Sequence, residues 1–120
     1  MSHVLLVEDD EPLLYALGRS LQGEGFTVTA VRCAQDALRV LEGAATRVDV
    51  MVTDIHLGDH AAHGISLAQM ARMRRFDMRV IFITGSAESI KHANAHGPAL
   101  LKPINPDHLA ATIRDELLVA

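Results

Sequence analysis

The chain has 120 residues, the length of one ordinary domain, enough to bury a single core without a disulfide framework or a structural metal. Hydrophobic residues make up 49% but aromatics only 3%, so the core is one of Leu, Val, Ile, Ala and Met. A formal charge of -4 with scattered basic residues argues against a nucleic-acid surface, and the single cysteine, Cys33, cannot form an internal bridge. No stretch approaches the roughly 18 apolar residues of a membrane span or carries a signal peptide's apolar region, so a soluble cytoplasmic protein is expected.

His3 to Val7 reads as a short buried strand, followed directly by Glu8-Asp9-Asp10-Glu11. Pro12, with Asp10 as N-cap, opens a helix carrying Leu13, Leu14, Leu17 and Leu21 at helical spacing, and Gly23 and Gly25 stop it. Phe26 to Val31 alternates as a strand, and Ala34 to Leu41 has helical spacing before Gly43. Val48 to Asp54 is the third strand, with four apolar or β-branched residues in a row, as expected where helices cover both faces. A polar loop runs to Gly64, and Ile65, Leu67, Ala68, Ala71 and Met73 support a third helix up to about Arg75. Arg79 to Thr84 is a fourth strand, and Gly85-Ser86 opens a short helix ending near His96-Gly97. Pro98 to Leu101 makes a brief fifth strand, and Pro106 to Leu118, with Asn105 as N-cap, supplies the last helix. Arg72, Arg74, Arg75 and Arg79 read as a solvated helix end, Met51, Met70, Met73 and Met78 as core or edge filler, and Cys33 as a small apolar residue at a helix start.

Five strands alternating with five helices, without repeat or linker, call for right-handed βαβ crossovers and an α/β fold: a five-stranded parallel sheet, doubly wound, as one domain over residues 1–120. In such a sheet all strands point the same way. Glu8 and Asp9 after the first strand, Asp54 at the end of the third, Thr84 at the fourth and Lys102 after the fifth therefore converge on one edge, where open α/β sheets place their ligands. An aspartate at one strand end often merely begins a turn. Carboxylates, a hydroxyl and an amine at four ends are harder to assign to polar loops alone.

Three carboxylates packed together repel, and each is driven toward protonation unless a divalent cation or the Lys102 ammonium neutralises them. Oxygen-only ligands suit Mg²⁺, which keeps several waters and takes one or two carboxylates together with phosphate oxygens. A carboxylate beside Mg²⁺, a hydroxyl donor and a lysine make a phosphoryl-transfer arrangement with Asp54 as nucleophile. The cation and Lys102 offset charge on the phosphoryl oxygens, and Thr84 can donate a hydrogen bond to another.

These residues resemble a known family, the receiver domain of two-component response regulators (CheY-like). The resemblance covers the whole chain and rests on Leu5-Leu6-Val7-Glu8-Asp9-Asp10-Glu11-Pro12, Val52-Thr53-Asp54-Ile55-His56-Leu57, Val80-Ile81-Phe82-Ile83-Thr84-Gly85 and Leu101-Lys102-Pro103, in that order and spacing. It implies the flavodoxin-like strand order 2-1-3-4-5. It implies Asp54 as phosphoacceptor, Glu8 and Asp9 as the acidic pair of the Mg²⁺ site, and the His56 backbone carbonyl as a further ligand. Thr84 would be the switch hydroxyl and Lys102 the phosphoryl-contacting lysine. The phosphoryl group would come from a sensor histidine kinase or a histidine phosphotransfer protein. The receiver would catalyse its own loading and hydrolysis without being an enzyme in its own right. The fourth helix, fifth strand and fifth helix would then change their preference for a downstream protein partner or output domain, with no direct nucleic-acid or membrane contact.

The chain departs from the family in three places. Ala99, three residues before the lysine, stands where members often carry Tyr or Phe, so an aromatic swing cannot occur. Thr84 to Lys102 spans only 18 positions, and Gly97-Pro98 disfavours helix, so the fourth helix is expected to be short or partly melted and the switch face altered. The loop Gly58 to Gly64 adds His60 and His63 to His56, a set that reads as surface histidines, with transition-metal ligation as the alternative. His56 is also placed to tune dephosphorylation by occupying the path of attacking water.

A phosphoacceptor receiver is the expected function. Because no output segment follows Ala120, the expectation is a single-domain shuttle or a piece of a longer regulator or hybrid kinase. Two rivals carry different expectations. A haloacid-dehalogenase-type phosphatase also uses an aspartyl nucleophile, but it wants a second acid two residues on, where His56 stands. A degenerate receiver would act as a phosphorylation-independent binding module.

Overall fold

The structure, a computed structural model, describes residues 2–43, 45–57 and 64–118. Ten elements alternate along it: β1 (His3–Val7), α1 (Glu11–Gly23), β2 (Thr27–Val31), α2 (Ala34–Glu42), β3 (Val50–Asp54), α3 (Gly64–Arg74), β4 (Arg79–Thr84), α4 (Ala87–Ala93), β5 (Ala99–Leu101) and α5 (Pro106–Leu118). The strands form one sheet in the order β2-β1-β3-β4-β5, every pair parallel, as expected of the doubly wound class. Register sets Leu5 opposite Met51, Val52 opposite Ile81 and Thr84 opposite Leu101, so the strand ends stay level at the carboxyl edge.

Alternation along each strand divides the core in two. Leu5, Val7, Met51, Val80 and Phe82 point to one face and pack with Leu41 of α2 and Leu67 and Ala71 of α3. Val4, Leu6, Val50, Val52, Ile81 and Ile83 point to the other and meet Leu14, Leu17 and Leu21 of α1 and Leu109 and Ile113 of α5. All five residues of the central β3 are buried, which is why it reads as an unbroken apolar run.

The helix starts follow their caps. Asp10 Oδ1 accepts from the Leu13 N–H at 3.3 Å with Pro12 in the first turn of α1, and Asn105 Oδ1 accepts from the Asp107 and His108 N–H groups at 2.9 and 3.3 Å at α5. Several boundaries differ from the sequence reading. β2 begins at Thr27 because the Phe26 N–H still donates to the Leu21 carbonyl of α1 at 3.1 Å; the Phe26 ring is buried, with the Arg114 guanidinium 5.4 Å away. Val48 is buried but precedes β3, and β5 starts at Ala99. α4 is short, as expected, and stops at Ala93 ahead of His96-Gly97. A Cβ at Gly97 would overlap the Val80 carbonyl, so chain and sheet pass too close for any other residue.

Two surface readings are corrected. Arg75 is no solvated helix end: its guanidinium donates to the carbonyls of Leu41 (3.2 Å), Gly43 (2.8 Å) and Thr46 (2.8 Å), pinning the α2–β3 connection, while Arg72 donates to the His96 carbonyl and Arg74 pairs with Glu42. Met51 and Met78 fill core, but Met73 is 86% exposed and Met70 is also exposed, because they lie on the outward side of α3. Cys33 is exposed and directly precedes α2. The expectations for His60 and His63 lie outside the described residues.

Candidate phosphoryl-transfer site

The carboxyl edge of β1, β3, β4 and β5 brings together the polar residues that the sequence scatters over almost a hundred positions. Glu8 continues β1, its N–H donating to the Val31 carbonyl at 3.1 Å, and its side chain is fully buried. Asp54 ends β3 and is 4% exposed; Thr84 ends β4 and is fully buried; Asp9 is exposed and Lys102 half-buried. Lys102 is held by its own backbone, whose N–H donates to the Thr84 carbonyl at 2.7 Å, so β4 fixes where the lysine starts.

From there the ammonium lies 2.7 Å from both Glu8 Oε1 and Asp54 Oδ2. The other Asp54 oxygen, Oδ1, accepts from the His56 N–H at 3.1 Å, and Glu8 Oε2 accepts from the Asp10 N–H at 3.1 Å. Thr84 Oγ1 accepts from the Ser86 N–H at 3.1 Å, which leaves its own proton available to donate. α3 approaches β3 closely behind Asp54: the Gly64 N–H donates to the Ile55 carbonyl at 2.7 Å, and a Cβ on Gly64 would overlap the Asp54 carbonyl.

The electrostatics follow from crowding. Burial, ahead of every other influence, raises the Glu8 carboxyl from 4.5 to about 7; the Lys102 ammonium and the Asp10 N–H oppose it, and sharing a proton with Asp9 and the charge on Asp54 add to it. For Lys102 burial works against the charge, but the hydrogen bonds and charges of Asp54 and Glu8 outweigh it and the ammonium is held above its ordinary value.

Glu8, Asp9 and Asp54 each offer a carboxylate oxygen within 4.8 Å of the others. The set is all oxygen, and the buried Glu8 Oε1 has an ion-pair contact with Lys102 but no hydrogen bond of proper geometry. Both features fit a hard divalent cation such as Mg²⁺. Of the residues named from sequence, Glu8, Asp9, Asp54 and Lys102 meet through their side chains, while Thr84 stands at the end of the neighbouring strand and His56 adjoins Asp54. The sequence reading passed over Ser89 and the bonds around it. Ser86 Oγ caps α4 by accepting from the Ser89 N–H at 3.3 Å, and Ser89 Oγ lies 3.1 Å from His56 Nε2. Ser86 at a helix start was legible; a side-chain pair 33 positions apart was not.

Comparison with known proteins agrees with this architecture. The response regulator receiver domain model matches residues 4–114, and the chain belongs to that family, the receivers of two-component systems. It is 32% identical to the transcriptional regulatory protein GlrR of Escherichia coli over 97% of its own length, and spans only 26% of that relative. Among solved structures, a CheY-like receiver domain protein from Methanospirillum hungatei is 30% identical with a TM-score of 0.85, covering 98% of this chain and 94% of that one. The response regulator TrrA of Thermotoga maritima, solved in complex with Mg²⁺ and BeF, shares the fold at 22% identity and a TM-score of 0.83, covering 97% and 99%.

Proposed function

We propose that this receiver takes a phosphoryl group onto Asp54 from a phosphohistidine of a sensor kinase or phosphotransfer protein, and so alters a surface read by a downstream protein or output domain. The observation that carries the reading is the Asp54 carboxylate, nearly buried yet held at both oxygens, by Lys102 at Oδ2 and the His56 N–H at Oδ1. Such clamping orients a nucleophile before its partner arrives.

In the step itself an Asp54 oxygen attacks phosphorus, the P–N bond of the donor breaks, and its electron pair stays on the donor imidazole. Lys102 shifts from countering carboxylate charge to countering the charge of the phosphoryl oxygens, and Thr84 donates its hydroxyl proton to one of them. Glu8, Asp9, Asp54 and the His56 carbonyl would hold Mg²⁺, which when bound offsets charge on the transferring group; the neighbour TrrA was solved with Mg²⁺ and BeF. The transfer is self-catalysed, as is later hydrolysis. The phosphatase rival lacks its second acid, since His56 stands two residues after Asp54, and a complete set of acids, hydroxyl and lysine disfavours the degenerate binding module. Among the described residues no helix is long and apolar enough to cross a membrane.

The test is incubation with acetyl phosphate and Mg²⁺, read by intact mass. Gain of one phosphoryl group, lost on chelation and in Asp54→Asn, is the expected result. No gain in a folded protein would return the binding module to first place.

A further inference from the structure

β2 stands at one end of the sheet, and among the described residues it pairs only with β1. The Thr27 N–H donates to the Ser2 carbonyl and the Val31 carbonyl accepts from the Glu8 N–H, so the first and last residues of β2 turn their backbone groups toward β1. That direction alternates along a strand, and the N–H and C=O groups of Val28 and Ala30 therefore point outward. An open edge is a template for another strand unless charge, proline or brevity blunts it. The opposite edge is blunted, since β5 has three residues and runs into Lys102-Pro103. β2 is not: its sequence, TVTAV, holds neither charge nor proline.

A groove of about 340 Å³ lies between this edge and α1, and Val28 and Ala30 line it. Facing them, Gly18 is buried in α1, yet a Cβ built there meets nothing within 4 Å, which leaves a slot for a visiting side chain. Tyr15 and Arg19 form a wall, the guanidinium donating to Tyr15 Oη at 3.3 Å and lying 5.8 Å from the ring. Among the described residues Arg19 has no acidic partner, whereas Arg32 is offset by Glu11 at 3.8 Å. Two arginines against one glutamate make the groove cationic in a chain whose formal charge is -4.

We propose that the β2 edge and the groove beside it are a docking site for an extended acidic segment of a protein partner. The segment adds a strand on the outward backbone groups of Val28 and Ala30, seats an apolar side chain over Gly18 and sets a carboxylate against Arg19. Backbone pairing supplies affinity, and the slot and the cation supply selectivity.

The experiment selects binders to the immobilised full chain from a random peptide library. Enriched peptides are then titrated calorimetrically against wild type, Gly18→Leu and Arg19→Glu, and amide exchange is followed in the complex. Enrichment of acidic, apolar sequences is expected, with binding weakened about tenfold or more in each variant and exchange slowed at the Val28 and Ala30 N–H groups. Leucine is a better helix former than glycine and fills open space, so Gly18→Leu should still melt cooperatively. No enrichment, peptides that bind both variants as well as wild type, or binding that leaves those two amides unprotected overturns the proposal. A wild-type dimer that Gly18→Leu makes monomeric would assign the groove to a second copy of the chain and overturn it too.

Discussion

Glu8 ionises against its surroundings. A carboxyl whose folded pKa, about 7, lies above its ordinary 4.5 binds its proton more tightly in the native chain than in the unfolded one. The stabilisation this gives is fully present below pH 4.5 and is lost as pH rises through about 7, a swing of at most about 3 kcal/mol. The denaturant midpoint of the chain in chelator should therefore fall between pH 5 and 8, and Glu8→Gln should flatten that slope. An unaltered slope in the variant would contradict the assignment. Because a cation binds the ionised carboxylate, Mg²⁺ should raise the midpoint more at pH 8 than at pH 6, its stabilisation at pH 8 reaching about 3 kcal/mol at a hundredfold excess over its dissociation constant there.

At the scale of elements, two close approaches keep the acceptor strand in place. Gly64→Ala puts a methyl group into the Asp54 carbonyl, so α3 must move off β3, at a cost of about 1–3 kcal/mol. Chemical denaturation should show that loss, and phosphoryl uptake should slow with it; full stability would mean that α3 is not seated as described. Arg75 fastens the α2–β3 connection through three carbonyls. Arg75→Ala should cost about 1–3 kcal/mol by denaturant melting, and Arg75→Lys should recover little, since an ammonium cannot match the spread of a guanidinium. These contacts mark where sequence reading stops. The strands were legible because β1, β3 and β4 are buried almost throughout and so read as apolar runs, and the α1 and α5 starts because Asp10 and Asn105 cap locally. Arg75 was read as solvated because its carbonyls lie about thirty positions upstream. Met73 was read as filler because helical periodicity does not say which apolar face of α3 is outermost.

For the whole molecule, topology does what local sequence cannot. A parallel sheet in the order β2-β1-β3-β4-β5 forces four strand ends to one edge, so the Glu8, Asp9, Asp54, Thr84 and Lys102 cluster could be read from strand-end positions alone. What could not be read is how the cluster is neutralised, with one lysine equidistant from two acids, or that His56 reaches α4. α4 is short, Ala99 puts no aromatic ring three residues before Lys102, and Thr84 Oγ1 is bonded to the Ser86 N–H. The central claim is that the phosphoryl group is carried by Asp54 itself. Borohydride reduction of the acetyl phosphate-treated chain followed by peptide mass spectrometry tests it most directly, since an aspartyl phosphate is converted to homoserine. Homoserine at position 54, dependent on Mg²⁺, is the expected result; reduction at Glu8 or Asp9, or none in a chain that has gained phosphate, would contradict the account.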